Sequence, residues 1–161
     1  MRSVLTALVL LGSGIVGSVH AKATEKALIF ADPWEIIHIA RAHGSAEVTR
    51  DTFRDPVIAG KLDEFPYRID FYDCYLGRKC SVILFKLDLS KTEWEEDPPK
   101  RSDIDDWNRE KLFGRAYLDD ENRAVLEHPV VLDAGMPREN LDAAFRRWRD
   151  AIEEFADLLD F

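Results

Sequence analysis

No stripe of Lys or Arg runs through this sequence: 22 basic residues lie scattered among 31 acidic ones, for a formal charge of −9. A nucleic-acid surface needs clustered cations to release counterions from phosphates, and anionic lipid attracts the same clusters, so the sequence argues against both as partners. Catalytic signatures are missing as well. There is no G-x-S-x-G elbow and no H-E-x-x-H, and after residue 31 no glycine-rich loop stands ahead of a helix to cradle phosphate. Among 31 carboxylates any two can be named acid and base, so their spacing carries no information. No metal or cofactor is expected, and a non-enzymatic role is. Cysteine is scarce too, with Cys74 and Cys80 the only two.

The one long apolar run is N-terminal. In MRSVLTALVLLGSGIVGSVHAKA, Arg2 supplies a short charged start, Val4 to Val16 an apolar stretch, and Val19-His20-Ala21 or Ala21-Lys22-Ala23 a small-residue cleavage pattern. Gly12, Ser13, Gly14 and Gly17 interrupt the run, which falls short of the ~20 residues a bilayer requires. A cleavable export signal over residues 1–21, cut near Ala21 or Ala23, is the expectation. A polar lead over 22–31 and a single domain over 32–161 follow, since 161 residues of 46% hydrophobic content suffice for one core. Cutting after Ala21 removes one base and no acid. The product is an acidic periplasmic or secreted protein with no membrane insertion after cleavage.

That compartment bears on the cysteines, because thiols within reach of each other normally pair outside the cytosol. In FYDCYLGRKCSVILF they flank a short connection containing Gly77. Tyr67, Ile69 and Phe71 alternate with polar residues before it, and Ile83, Phe85, Leu87 and Leu89 repeat the alternation after it. Both cysteines therefore fall at the neck of a hairpin, where facing α-carbons lie about 4.5 to 5.5 Å apart, and a structural disulfide is favoured. A redox centre would want C-x-x-C at a helix N-terminus. A zinc site would want two further ligands from His38, His43 and His128, and the first two point to different faces of a helix.

Asp32-Pro33-Trp34-Glu35 predicts a helix start, with Asp as cap, Pro in the first turn and Glu reaching back to the cap. Gly44 closes that helix after residue 43. Two short strands, 46–51 and 57–62, precede the cysteine hairpin. Ser90 to Arg101, with Pro98 and Pro99 and four acids, reads as a surface loop. Ser102-Asp103-Ile104-Asp105 opens a second helix through Lys111, and strands over 113–119 and 123–132 form another hairpin. Pro137 marks the first position of a final helix whose Leu141, Phe145, Trp148, Ile152, Phe155 and Leu159 form a seam. That seam suits packing on the chain's own sheet or, alternatively, a homodimer or partner interface. The order α-ββββ-α-ββ-α predicts an α+β domain with a mainly antiparallel sheet of five to six strands and three helices.

The stretch from Asp106-Trp107-Asn108-Arg109 through Phe113-Gly114-Arg115-Ala116-Tyr117-Leu118-Asp119 carries a resemblance, together with Val125-Leu126-Glu127, Arg138-Glu139-Asn140-Leu141 and the Phe71-Tyr72-Asp73-Cys74 block. It resembles the signature of the YbjN domain family, bacterial proteins described as sensory transduction regulators, with a fold similar to type III secretion chaperones. Pro137 stands where the resemblance leads one to expect a Ser cap.

Read for themselves, these residues offer candidates for contact with a partner. Arg115 lies between Phe113 and Tyr117, where a guanidinium stacks or holds a carboxylate. Trp107, Asn108, Trp148 and Phe155 are the others. The favoured reading is an exported, non-enzymatic binding or regulatory module for a protein or peptide, with a homodimer in view. The alternative is an envelope thiol-disulfide protein working through Cys74 and Cys80.

Overall fold

The computed structural model describes residues 27–76, 80–87 and 99–160. The expected leader, the Gly77 turn, Leu89 of the expected strand alternation and residues 90–98 of the acidic loop lie outside the described residues. In chain order the elements are β1 (Leu28–Ile29), α1 (Pro33–His43), β2 (Ser45–Arg50), β3 (Pro56–Leu62), β4 (Phe65–Tyr72), β5 (Val82–Leu87) and α2 (Arg101–Glu110). These are followed by β6 (Arg115–Leu118), β7 (Ala124–Val131), β8 (Met136–Pro137) and α3 (Arg138–Leu158). The α+β class holds, with three helices and one six-stranded antiparallel sheet in the order β2-β3-β4-β5-β7-β6. Sequence alternation did not reveal β1 and β8, which pair through Leu28↔Pro137 and Ile29↔Met136 and tie the lead to the start of α3.

The period-two pattern sorts the sheet into two faces. Ile58, Ile69, Phe85 and His128 form one cross-strand row on the face covered by helices, and Ala59, Arg68, Lys86, Glu127 and Arg115 form a row on the opposite face. Above the first face lie Ile36, Ile37, Ile39 and Ala40 of α1 and the seam of α3. Phe85 meets Phe145 edge-on with ring centroids 4.9 Å apart, and Trp107 of α2 meets Phe155 at 5.0 Å. Edge-on pairs of this kind add about 0.5–1.5 kcal/mol to what area burial contributes.

The α3 seam is therefore core. Trp148 and Phe155 are 0% exposed, which removes the homodimer or partner interface envisaged along it. A spacing of 4, 3, 4, 3, 4 cannot tell a neighbouring sheet from a neighbouring chain, because both reward the same apolar stripe.

The helix starts differ in part from the predicted ones. Asp32 does cap α1, accepting from Trp34 N at 2.8 Å. Glu35 reaches past the cap and accepts from Phe30 N at 3.1 Å, fixing the lead instead. Lys100 occupies the N-cap position of α2 without capping it through its side chain, so Ser102 lies inside the helix. Pro137 is the cap of α3 rather than its first residue, because its ψ of 139 is extended and it still belongs to β8. Gly44 has an extended backbone, φ 176. Space makes it glycine: a Cβ there would lie 2.1 Å from Lys61 O on β3.

Candidate functional site

Two regions hold the side chains of interest. The first is where β6 meets β7. Asn108, on α2, uses its amide as a strand neighbour would: Nδ2 donates to Ala116 O at 2.9 Å, and Oδ1 accepts from Ala116 N at 3.0 Å. Trp107, one residue earlier, is buried and donates from Nε1 to Gly114 O at 3.2 Å. Gly114 sits at φ 86, a left-handed conformation that L side chains resist, and a Cβ there would press on Leu126 at 3.0 Å. Trp107, Asn108 and Gly114 thus clamp α2 to the edge strand. Trp107 is spent inside the fold, whereas Asn108 is exposed and has its amide engaged by the backbone of β6.

Arg115 and Tyr117 lie on the face of the sheet away from the helices. Arg115 pairs with the buried carboxylate of Glu127, which is 5% exposed, and Tyr117 Oη donates to Glu127 Oε2 at 3.3 Å. The guanidinium also stands 5.7 Å from the Tyr117 ring centroid. The hydrogen bond to Glu127 is the main influence holding Arg115 protonated above its ordinary range. Tyr72, nearby, has its phenol pushed up, first by desolvation and then by the charges of Asp70 and Glu127. Arg68 closes on Asp70. Arg68 and Arg115 each have an internal carboxylate, so Arg115 holds a carboxylate as expected, but one from its own chain.

The second region was not singled out from sequence. Most exposed large apolar side chains gather at one end of the sheet: Leu28, Phe30, Trp34, Phe53, Tyr72, Tyr75, Leu76 and Val131, leaving only Leu112 and Leu158 elsewhere among the described residues. The disulfide organises this end. Cys74 and Cys80 are bonded with α-carbons 3.9 Å apart, and Cys80 leaves the β4–β5 ladder to bridge Ala31, its N donating to Ala31 O at 3.2 Å. That bridge brings the lead and the first turn of α1 against the cysteine loop. Cys80 is buried and Cys74 half-buried.

Between α1, β2 and this loop lies an open groove of about 350 Å³ lined by Pro33, Trp34, Val48, Arg50, Arg54 and Leu76, among others. Trp34 is 56% exposed and Leu76 85%. Leu76 also holds φ 52, a conformation costing a β-substituted residue roughly 1–2 kcal/mol. An exposed leucine in an unfavourable backbone well contributes nothing to the fold, which points to use elsewhere. Helical periodicity could have flagged Trp34: it falls with Glu35, His38 and Arg41 on the exposed side of α1, where a tryptophan is out of place. Nothing in the sequence marks Leu76, whose exposure and backbone depend on the disulfide loop.

An antiparallel sheet roofed on one face by helices, with an apolar end pinned by a disulfide, defines an α+β domain that exposes apolar side chains at one end. The chain belongs to the YbjN family, described as "Putative bacterial sensory transduction regulator", whose family model matches residues 33–161. No curated protein and no solved structure matches it.

Proposed function

We propose that this is an exported, non-enzymatic binding module of the YbjN type that holds a protein or peptide partner in the cell envelope through its disulfide-pinned apolar end. One observation carries the reading: Trp34 and Leu76, both exposed, wall one groove, and exposed Phe53 and Tyr75 lie on the turn and loop of the same end of the sheet. Monomeric proteins rarely expose contiguous apolar patches without a use for them, and aromatic side chains dominate binding hot spots. The disulfide suits an oxidising compartment, in keeping with the leader read from the sequence. The family's regulatory description fits a domain that acts by contact.

Affinity capture from periplasmic extract tests this, with Trp34→Ala and Phe53→Ala as variants and Leu112→Ala as the control at the far end. The same partner retained by wild type and Leu112→Ala but lost by the other two supports the reading. A partner retained equally by all of them refutes it. The thiol-redox alternative has the half-exposed Cys74 in its favour, and against it the spacing of the cysteines, which have five residues between them rather than the two of a C-x-x-C pair. A reduction potential below about −300 mV identifies an inert staple and one near −120 mV an active couple.

A further inference from the structure

The two edges of the sheet are treated differently. At β6 the outward-facing N–H and C=O of Ala116 are both taken by Asn108, which blocks the middle of that four-residue edge. At β2 the turn bond from Asp51 N to Asp55 O sets the alternation, leaving the backbone groups of Ala46, Val48 and Arg50 facing outward. Arg41 Nε covers Ala46 O at 3.0 Å. Among the described residues no hydrogen bond takes the outward backbone groups of Val48 or Arg50. An edge left open in this way is a template for another strand unless the chain blocks it.

The groove lies directly beside this open stretch, since Val48, Thr49 and Arg50 form one of its walls. Its charge is opposite to that of the molecule. Arg50 donates only to the carbonyl of Arg54, at 2.7 Å, and neither guanidinium has a carboxylate partner among the described residues. Asp32 is engaged by Trp34 N, and Asp51 Oδ1 by the amides of Phe53 and Asp55. Only Asp55 offsets the two cations in the lining, in a chain of net charge −9. Trp34 and Leu76 form the apolar part of the wall.

Resting on the reading above, we propose that β2 receives an extended segment of a partner protein as an added outer strand. Main-chain bonds would form to Val48 and Arg50, a large apolar side chain would lie between Trp34 and Leu76, and a neighbouring carboxylate would meet Arg50 and Arg54. Main-chain pairing gives such additions their affinity, and side-chain pockets give the specificity. A second copy of this chain, pairing edge to edge through β2, is the competing occupant.

Selection of a random twelve-residue phage-displayed peptide library on the purified oxidised protein tests the proposal. Enriched peptides are expected to place Asp or Glu next to a large apolar residue. Their affinity should fall at least tenfold on Val48→Pro, which deletes an outward N–H without touching the β2–β3 ladder. The double variant Arg50→Glu, Arg54→Glu should reverse the preference between Asp and Lys forms of one peptide. Methylating peptide amides one at a time leaves the protein unaltered and should weaken binding at every second position. Enrichment no greater than on bare resin, enrichment of basic peptides, or a methylation profile without alternation overturns the proposal. A dimer abolished by Val48→Pro, with no peptide enriched, assigns the edge to a second copy and likewise overturns it. Binding lost on Trp34→Ala but unchanged by Val48→Pro and by amide methylation would overturn strand addition while leaving the binding-module reading intact.

Discussion

Tyr67 shows how a single side chain can work against the fold it sits in. Its ring is buried against Phe145, yet its hydroxyl finds no partner among the described residues, and burial pushes the phenol up to about 12. The unfolded chain ionises near 10 while the folded one stays neutral, so stability is whole below pH 10 and is lost as pH rises from there toward 12. Tyr67→Phe is expected to raise stability by about 1 kcal/mol at neutral pH by removing an unsatisfied hydroxyl, and to flatten the decline above pH 10. Urea midpoints between pH 7 and 11 read both effects. Leu76 is the opposite case, a residue whose cost lies in its backbone. Leu76→Asn relieves a left-handed φ that Asn tolerates, so stability should rise by up to ~1 kcal/mol while partner binding weakens. A calorimetric Tm that falls, or binding that is unaffected, would show Leu76 to be structural.

At the level of elements, local chemistry decided how much could be read in advance. The cap and proline of α1, the alternation of β4 and β5 and the position of the disulfide were legible because each rests on neighbours in sequence. The strands β1 and β8, two residues each, carry no period and exist because distant segments meet. Within the family signature Trp107, Asn108 and Gly114 form a clamp, which the sequence left open for Asn108, since an Asn that completes a strand edge is indistinguishable in sequence from one that meets a ligand. Asn108→Ala should therefore cost about 1–3 kcal/mol, by leaving Ala116 N–H and C=O unpaired, and should open the β6 edge to self-association. Thermal unfolding and light scattering at rising concentration measure these two effects. Wild-type stability with no added association would contradict the clamp. The disulfide closes a loop of six residues' separation, for which chain entropy predicts about 2 kcal/mol. Reduction should lower stability by that amount and loosen the pairing of Ala31 with Cys80.

For the whole molecule, the sheet separates duties between its two ends and faces. Helices roof one face, internal ion pairs occupy the other, and the exposed apolar surface concentrates at the disulfide end. That placement follows from topology: the α1 N-terminus, the β2–β3 turn and the β4–β5 loop are far apart in sequence and adjacent in space. The fold class was legible from element order, whereas the candidate site was not, because its members are single residues from a helix start, a turn and a loop that are far apart in sequence. Position-specific photo-crosslinking in living cells tests the central claim most directly. A photoreactive residue at position 34, 53 or 76 should trap one and the same partner, and at position 112 or 158 should trap none. Crosslinks of equal yield at both ends, or confined to 112 and 158, would contradict the assignment of the binding surface.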